Sequence, residues 1–199
     1  SFGDIAASSF GGMVYYTSPD RSALLKQLQN KSIKEICDTD WKDLTIERLP
    51  KIPDFTLLVG WTGQVAITDS LIQATEKKRK VETDSAFYKE FLNKSHAIVQ
   101  GLQSAWKNKD IKALQEGIRA NRALLNEFAQ VMQLEIETPA LQTLCDLAEQ
   151  VGACAKTSGA GGGDCGICFT QNEQQRQQIE NQWAKAQIQV LPLSIAEAW

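Results

Sequence analysis

The middle of the chain constrains the fold more than any other part, because its pattern suits only long helices. Residues 70–133 contain no proline and only two glycines. Apolar residues recur there every three or four positions, which is the spacing of one face of an α-helix. One such series runs over residues 87–106 and a second over residues 111–128. A third helix is predicted after Thr138, which can cap it, with Pro139 in the first turn.

Short strands are predicted on both sides of these helices, from apolar runs or from alternation of apolar and polar residues. They cover residues 13–17, 44–49, 55–61, 153–156, 166–170 and 190–193. Further helices are expected at 3–10, where Asp4 is placed to cap and Gly11 and Gly12 to stop the helix, at 22–29 and at 173–187. Strands at both ends with helices between them indicate an α+β fold, an antiparallel sheet covered by helices on one face. With no repeat or linker, we expect one domain over residues 1–199.

Composition excludes several classes of protein. The formal net charge of −3 argues against nucleic acid as a partner, since binding to phosphate backbones needs a basic face. No stretch reaches the roughly 20 apolar residues that cross a membrane. Five cysteines are an odd and sparse count, which disfavours a disulfide framework and predicts a reducing, cytoplasmic location. The one strong basic cluster, residues 77–80, suits a solvated helix face or the steering of an anionic substrate.

A glycine-rich segment between two predicted strands is the clearest functional mark. Residues 156–164 read KTSGAGGGD and place four glycines in five positions. Glycine lets the backbone take positive φ and present successive N–H groups to an anion. The segment is not a Walker P-loop, since no Gly-Lys-Ser/Thr follows, nor a dinucleotide fingerprint, since a strand comes next. A flexible hairpin tip is the alternative, and it is disfavoured by the flanking Lys156, Thr157 and Ser158.

Four stretches together resemble the GHMP kinases, the superfamily of galactokinase, homoserine kinase and mevalonate kinase. Residues 156–165 (KTSGAGGGDC) resemble the third signature of the family. Residues 1–12 (SFGDIAASSFGG) resemble its Gly-x-Asp-x-Ala-x-Ser-x-x-Gly-Gly element. Residues 57–71 (LLVGWTGQVAITDSL) and 118–141 (IRANRALLNEFAQVMQLEIETPAL) are similar to segments of the phosphomevalonate kinase branch.

The resemblance implies a fold and an activity. The fold is the GHMP carboxy-terminal domain, with residues 1–12 ending the catalytic core element and residues 13–199 forming the α+β sandwich. The activity is transfer of the γ-phosphoryl of ATP, with Mg²⁺, to phosphomevalonate, giving mevalonate diphosphate in isoprenoid biosynthesis. Mevalonate kinase, another GHMP branch and a non-catalytic anion-binding module are the alternatives. The resemblance leaves a homodimer open.

One part of the family pattern is absent. The nucleotide-binding signature Pro-x-x-x-Gly-Leu-Gly-Ser-Ser-Ala and an amino-terminal lysine belong to a lobe that precedes residue 1. The chain therefore resembles the second lobe only, and we expect it to need the missing lobe as a partner and to lack most of the ATP site by itself. A truncated, proteolysed or divided protein would each give this pattern.

By the resemblance, Asp4 is the active-site aspartate, which is often a general base in the family. A phosphomonoester acceptor has a second pKa of about 6 and is largely ionised at neutral pH, so a base would have little proton to remove. Asp4 is then expected to hold the missing lysine, and a simple helix cap is its alternative role.

The remaining candidates are the residues of the glycine loop and four side chains from other parts of the chain. Its phosphate-binding residues are predicted to be Ser158, Gly159, Ala160, Gly161 and Gly162, with backbone N–H groups as donors. Arg122 is a candidate ligand of the substrate phosphate, because a guanidinium matches phosphate bidentately, or else a member of an intramolecular ion pair. Lys156 is expected to add charge or to face solvent. Trp61 and Thr62 are expected to line the acceptor pocket, with Trp61 equally suited to the core.

No metal site is predicted from side chains. Cys165 and Cys168 form a C-x-x-C, but no second pair lies at zinc spacing. In a strand, Cys165 and Cys168 would also face opposite sides.

Overall fold

A computed structural model describes residues 2–63, 86–159 and 161–196. The chain divides into two compact units, one of Ser1–Lys51 with Ile195–Trp199 and the other of Ile52–Ser194. Each is described by itself. The basic cluster at 77–80 and the loop residue Ala160 lie outside the described residues.

The first unit holds three helices and a two-stranded antiparallel sheet. Met13 pairs with Leu49 and Thr17 with Thr45 in that sheet. In chain order its elements are α1 (Gly3–Phe10), β1 (Met13–Thr17), α2 (Arg21–Leu28), α3 (Ile33–Cys37) and β2 (Thr45–Leu49).

Side chains at the helix ends explain where these helices begin. The Asp20 carboxylate accepts from the Ala23 N–H at the start of α2. Ser32 and Glu35 form a capping box at the start of α3, each side chain accepting from the backbone N–H of the other. The prediction that Asp4 caps α1 is wrong, because the N-cap position is Phe2 and no side-chain cap bond is made. Asp4 lies two residues further on, exposed in the first turn, where a carboxylate interacts favourably with the helix dipole.

The second unit contains a four-stranded antiparallel sheet and four helices among the described residues. The strand order is β4-β5-β3-β6, so β3 and β5 are interior. The elements are β3 (Thr56–Trp61), α4 (Ala86–Lys107), α5 (Ile111–Met132), α6 (Pro139–Gln150), β4 (Cys154–Thr157), β5 (Cys165–Thr170), α7 (Glu173–Lys185) and β6 (Gln189–Leu191).

One face of this sheet is buried under α6 and α7. Leu144 of α6 and Trp183 of α7 are fully buried against it, and the Trp183 Nε1–H donates to the Leu144 carbonyl at 3.0 Å. The helices lie so close that a Cβ at Gly166 would stand 2.6 Å from the Leu144 side chain. At Gly60 a Cβ would stand 2.8 Å from both Leu144 and Trp183. Two strand glycines thus set the distance between sheet and helices.

Helix α4 reaches the sheet at the end where β5 finishes. Trp106 of α4 packs edge-on against Phe169 and Phe55, whose rings stack at a centroid distance of 4.9 Å. Phe169 follows Cys168, which faces α6 and α7, so Phe169 points to the opposite face. Helices α6 and α7 therefore cover one face of the sheet, and Trp106 of α4 packs against the other face at Phe169.

The α+β architecture with an antiparallel sheet is confirmed. Among the described residues, the predicted strands and helices lie within two residues of their expected places, except that α5 continues to Met132, four residues beyond the predicted series. The strands within residues 2–63, 86–159 and 161–196 form two sheets, because β1 pairs there with β2 and with no other strand. The five-residue α3 was not predicted. The single domain over residues 1–199 stays a prediction. Among the described residues, none of the helices is both long and apolar enough to cross a bilayer.

Candidate phosphate-binding site

The glycine loop connects two neighbouring strands of the four-stranded sheet. Thr157 of β4 pairs with Gly166 of β5, and the residues between them, 158–164, form the loop. Trp61 of β3 pairs with Cys165, so the end of β3 lies beside the exit of the loop. The loop therefore rises from a rigid base made by an interior strand and its two neighbours.

The backbone of the loop is held in conformations that favour glycine. Gly161, Gly162 and Gly163 have φ values of 76°, 81° and 120°, and Asp164 follows at 63°. Four consecutive residues with positive φ are costly for residues with a Cβ, and aspartate is one of the few that tolerates the left-handed region. The run of glycines is thus required by the path of the backbone.

The middle of the loop is docked on the turn between α5 and α6. The Gly162 N–H donates to the Ile136 carbonyl at 2.7 Å. Gly161 lies against the same residue, and a Cβ there would stand 2.3 Å from the Ile136 carbonyl oxygen. Ile136 itself is buried. No side chain larger than hydrogen fits at Gly161 without moving backbone atoms.

The two ends of the loop are held by the sheet. The Asp164 carbonyl accepts from the Thr62 N–H at 2.9 Å and from the Thr62 hydroxyl at 3.0 Å. At the entry, the Ser158 N–H donates to the Cys165 carbonyl at 3.0 Å. Both contacts lie one position beyond the last paired residues, so the loop begins and ends on the strand ladder.

These contacts determine which N–H groups can reach an anion. Those of Ser158 and Gly162 are used within the chain, and that of Gly161 makes a long 3.5 Å contact to the Ser158 carbonyl. Among the described residues, Gly159, Gly163 and Asp164 are the loop positions whose N–H has no acceptor. The expectation that the backbone N–H groups of the loop are free donors is therefore wrong for Ser158 and Gly162, because these two N–H groups donate to carbonyl groups within the chain. Contact of these residues with a phosphate stays a prediction, as does that of Ala160.

Lys156 places a half-buried positive charge at the base of the loop. Its Nζ donates to the Thr157 carbonyl at 2.7 Å, and no carboxylate pairs with it among the described residues. Burial lowers the pKa of its ammonium group, because a charged amine loses hydration there. An anion beside the loop would supply the counter-charge that Lys156 lacks.

Arg122 is bonded to the turn on which the loop is docked. Its Nε donates to the Glu137 carboxylate at 2.9 Å, and its Nη2 donates to Asp146 at 2.8 Å. Asn126 donates to the same Glu137 carboxylate at 3.0 Å. The Glu137 contact raises the pKa of Arg122, whose side chain is 16% exposed. The intramolecular ion pair that was the alternative for Arg122 is present, and its role as a phosphate ligand stays a prediction.

The other predicted residues are placed as follows. Trp61 is half-buried at the end of β3. Thr62 follows it and is bonded to Asp164, the last residue of the glycine loop. Asp4 belongs to the first unit. Sequence reasoning missed Ile136 and Glu137, and the one signal was that they directly precede the capping Thr138, which makes them the last residues of a tight interhelical turn.

Side chains that would hold a metal by themselves are not found in the described part of the chain. Groups of three or more His, Cys, Asp or Glu side chains in reach of one ion are absent there. Mg²⁺ in phosphoryl transfer is commonly held by one or two carboxylates together with the substrate phosphates. An ion bound in that way needs no group of three side chains and takes part of its ligands from the substrate phosphates.

Comparison with known proteins agrees with this geometry. Residues 99–189 match the family model of the GHMP kinases C terminal domain. The phosphomevalonate kinase of Streptomyces sp. (strain CL190) is 36% identical over 198 residues, which is 98% of this chain and 52% of that protein.

Solved structures give the same result for the fold. A Lin0012 protein from Listeria innocua superposes with a TM-score of 0.92 at 34% identity, over 99% of this chain and 55% of that one. The Streptococcus pneumoniae phosphomevalonate kinase in complex with phosphomevalonate and AMPPNP superposes with a TM-score of 0.81 at 28% identity, over 96% and 54%. The chain spans about half the length of these relatives. The chain carries a GHMP kinases C terminal domain, which the family model matches at residues 99–189.

Proposed function

We propose that the protein carrying this chain transfers the γ-phosphoryl of ATP to phosphomevalonate, giving mevalonate diphosphate. The observation that carries the proposal is the 36% identity to a phosphomevalonate kinase across nearly the whole chain. The Streptococcus pneumoniae relative, at 28% identity, binds phosphomevalonate and AMPPNP. ATP would thus be the donor, and Mg²⁺ would neutralise charge on its phosphates.

The glycine loop supports this function through its anchoring. Phosphoryl transfer relies on positioning and on donors that are fixed before charge develops. The loop is bonded to Ile136, Thr62 and Cys165, while the N–H groups of Gly159, Gly163 and Asp164 are left over. The Ser158 hydroxyl likewise has no partner among the described residues. These groups and Lys156 are our candidates for contacts with a phosphate.

The remaining roles follow from the chemistry of the acceptor. Since a phosphate monoester is largely ionised at neutral pH, its oxygen needs alignment more than deprotonation. We assign Asp4 to holding a cationic group of the preceding lobe and Trp61 to the acceptor side. Arg122 would act on a substrate through donors that Glu137 and Asp146 do not occupy.

A coupled assay of ADP formation tests the function. The intact protein is expected to turn over with phosphomevalonate and ATP, and more slowly or not at all with mevalonate. Turnover with mevalonate and none with phosphomevalonate would reject the assignment to this branch. Full activity of an Asp4→Asn variant would remove Asp4 from the mechanism.

The chain by itself is expected to bind phosphate-bearing ligands without turnover, since it spans about half of its relatives. Titration calorimetry of the isolated chain with phosphomevalonate, beside the coupled assay, checks this. ADP formation by the isolated chain would contradict it.

A further inference from the structure

Thr62 makes two hydrogen bonds to one carbonyl group, that of Asp164 at the exit of the glycine loop. The two residues are 102 positions apart in sequence. The backbone N–H of Thr62 makes the bond that any residue at the end of a strand ladder would make. The hydroxyl adds a second donor to the same oxygen, which has two lone pairs to accept them. The threonine side chain therefore does something that its backbone alone does not.

The held carbonyl ends the strained part of the loop. Residues 161–164 all have positive φ, and this stretch has one fixed point at Gly162, through Ile136, and another at Asp164, through Thr62. Gly163 lies between the two points, and its N–H has no acceptor among the described residues. If either fixed point is loosened, the direction of the Gly163 N–H is no longer determined. Thr62 thus acts on a donor that it does not touch.

We propose that Thr62 is a positioning residue for the glycine loop: its hydroxyl holds the Asp164 carbonyl and so keeps the Gly163 N–H aimed at a substrate phosphate. This inference rests on the proposed function for the identity of the ligand. It differs from a direct contact between Thr62 and the acceptor, because the effect of Thr62 passes through the loop.

The test compares three variants of the intact protein. Thr62→Val removes the hydroxyl and keeps the shape, while Thr62→Ser keeps the hydroxyl. Thr170→Val is the matched control, since Thr170 lies at the opposite end of the β3–β5 pair and its hydroxyl is 3.5 Å from the Thr56 carbonyl. The first readout is residue-resolved hydrogen exchange at Ser158 and Gly162, the two loop amides with short internal bonds. The second is the KM for ATP and for phosphomevalonate.

Loss of one net hydrogen bond corresponds to a change of about two- to tenfold. Thr62→Val is expected to speed exchange at both amides by this factor and to raise one KM by a similar factor, with a smaller change in kcat. Thr62→Ser is expected to restore both readouts toward those of the unaltered protein, and Thr170→Val to change neither.

Two results would overturn the inference. One is a raised KM in Thr62→Val without faster exchange in the loop, which would make Thr62 a direct ligand. The other is faster exchange with unchanged KM values, which would make the tether irrelevant to binding. If the unaltered protein does not turn over phosphomevalonate, the proposed function fails, and hydrogen exchange still decides whether the Thr62 hydroxyl holds the loop.

Discussion

Replacing Gly161 with alanine tests whether the glycine loop is docked on the protein or is a free hairpin tip. Gly161 has a φ of 76°, and a Cβ there would stand 2.3 Å from the Ile136 carbonyl oxygen and 2.7 Å from its side chain. Gly159 is the matched control. Its φ is 61°, and a Cβ there would meet nothing within 4 Å. The two substitutions share the same backbone penalty and differ in the collision.

The expected magnitudes follow from these two facts. An alanine in the left-handed region costs about 1–2 kcal/mol, and this applies to both variants. At Gly161 the Ile136 carbonyl must also move, which breaks its bond to the Gly162 N–H, a further net loss of about 0.5–1.5 kcal/mol. We therefore expect Gly161→Ala to lose roughly 1.5–3.5 kcal/mol of unfolding free energy and Gly159→Ala roughly 1–2 kcal/mol.

Thermal and urea unfolding of the two variants measure this difference. In a chain of this size 1 kcal/mol corresponds to about 2–4 °C in Tm, so Gly161→Ala should melt several degrees below Gly159→Ala. In the coupled assay Gly161→Ala should also raise the KM for a phosphate-bearing substrate by more than Gly159→Ala does. Equal melting temperatures and equal KM values for the two variants would refute the docking of the loop on Ile136.

Other substitutions test the core, the ion pair and the thiols. Gly166→Ala should destabilise the protein by about 1–3 kcal/mol, because its Cβ would stand 2.6 Å from the Leu144 side chain. Gly101→Ala is the control at an open helix position and should stabilise the protein by about 0.5–1 kcal/mol. Urea unfolding measures both changes. Arg122→Met should lower the unfolding free energy by about 2–4 kcal/mol, because it leaves the Glu137 carboxylate, 7% exposed, without its cation. Arg176→Met, which breaks the more exposed pair with Glu180, should lower it by under about 1 kcal/mol. Equal losses in the two arginine variants would contradict a structural role for Arg122. Burial raises the pKa of Cys145 and Cys154 to about 12, and it also raises the pKa of Cys168. At pH 8 a thiol reagent should therefore label the exposed Cys37 first and Cys165 more slowly. It should label the three buried cysteines, Cys145, Cys154 and Cys168, only after unfolding.

Most of the secondary structure was predictable because its signals are local. The capping Thr138 with Pro139 placed the start of α6 correctly, and the apolar run before Trp61 identified an interior strand. The short helix α3 was missed although Ser32 and Glu35 carry the capping-box pattern, since five residues give too few turns for a periodic signal. The division of the strands into two sheets was not predictable, because pairing depends on contacts between distant residues.

The candidate site was predicted in its residues more than in its contacts. Arg122 was chosen for its chemistry, and its guanidinium is engaged by Glu137, only 15 positions away, which no spacing rule identifies. The prediction that Asp4 is the N-cap failed because the helix begins at Gly3, two residues earlier than such a cap requires. Thr62 was expected near a substrate, and its visible partner is the Asp164 carbonyl. The differences at Arg122 and Thr62 concern tertiary hydrogen bonds, for which one sequence has no local signal.

The glycines of the loop permit its backbone path, but the residues that select this path lie elsewhere. A loop with four glycines has many accessible conformations, and ordering each residue costs about 1–2 kcal/mol of conformational entropy. The Ile136 carbonyl, the Thr62 donors and the Cys165 carbonyl offset that cost before any ligand binds. The Arg122–Glu137 pair in turn fixes the turn that presents Ile136. An equally glycine-rich segment without these partners would have to be ordered by the phosphate itself, with a loss of affinity. The contacts with Ile136 and Thr62 therefore order the loop in advance, which its sequence alone does not show, and the phosphate site itself stays a prediction.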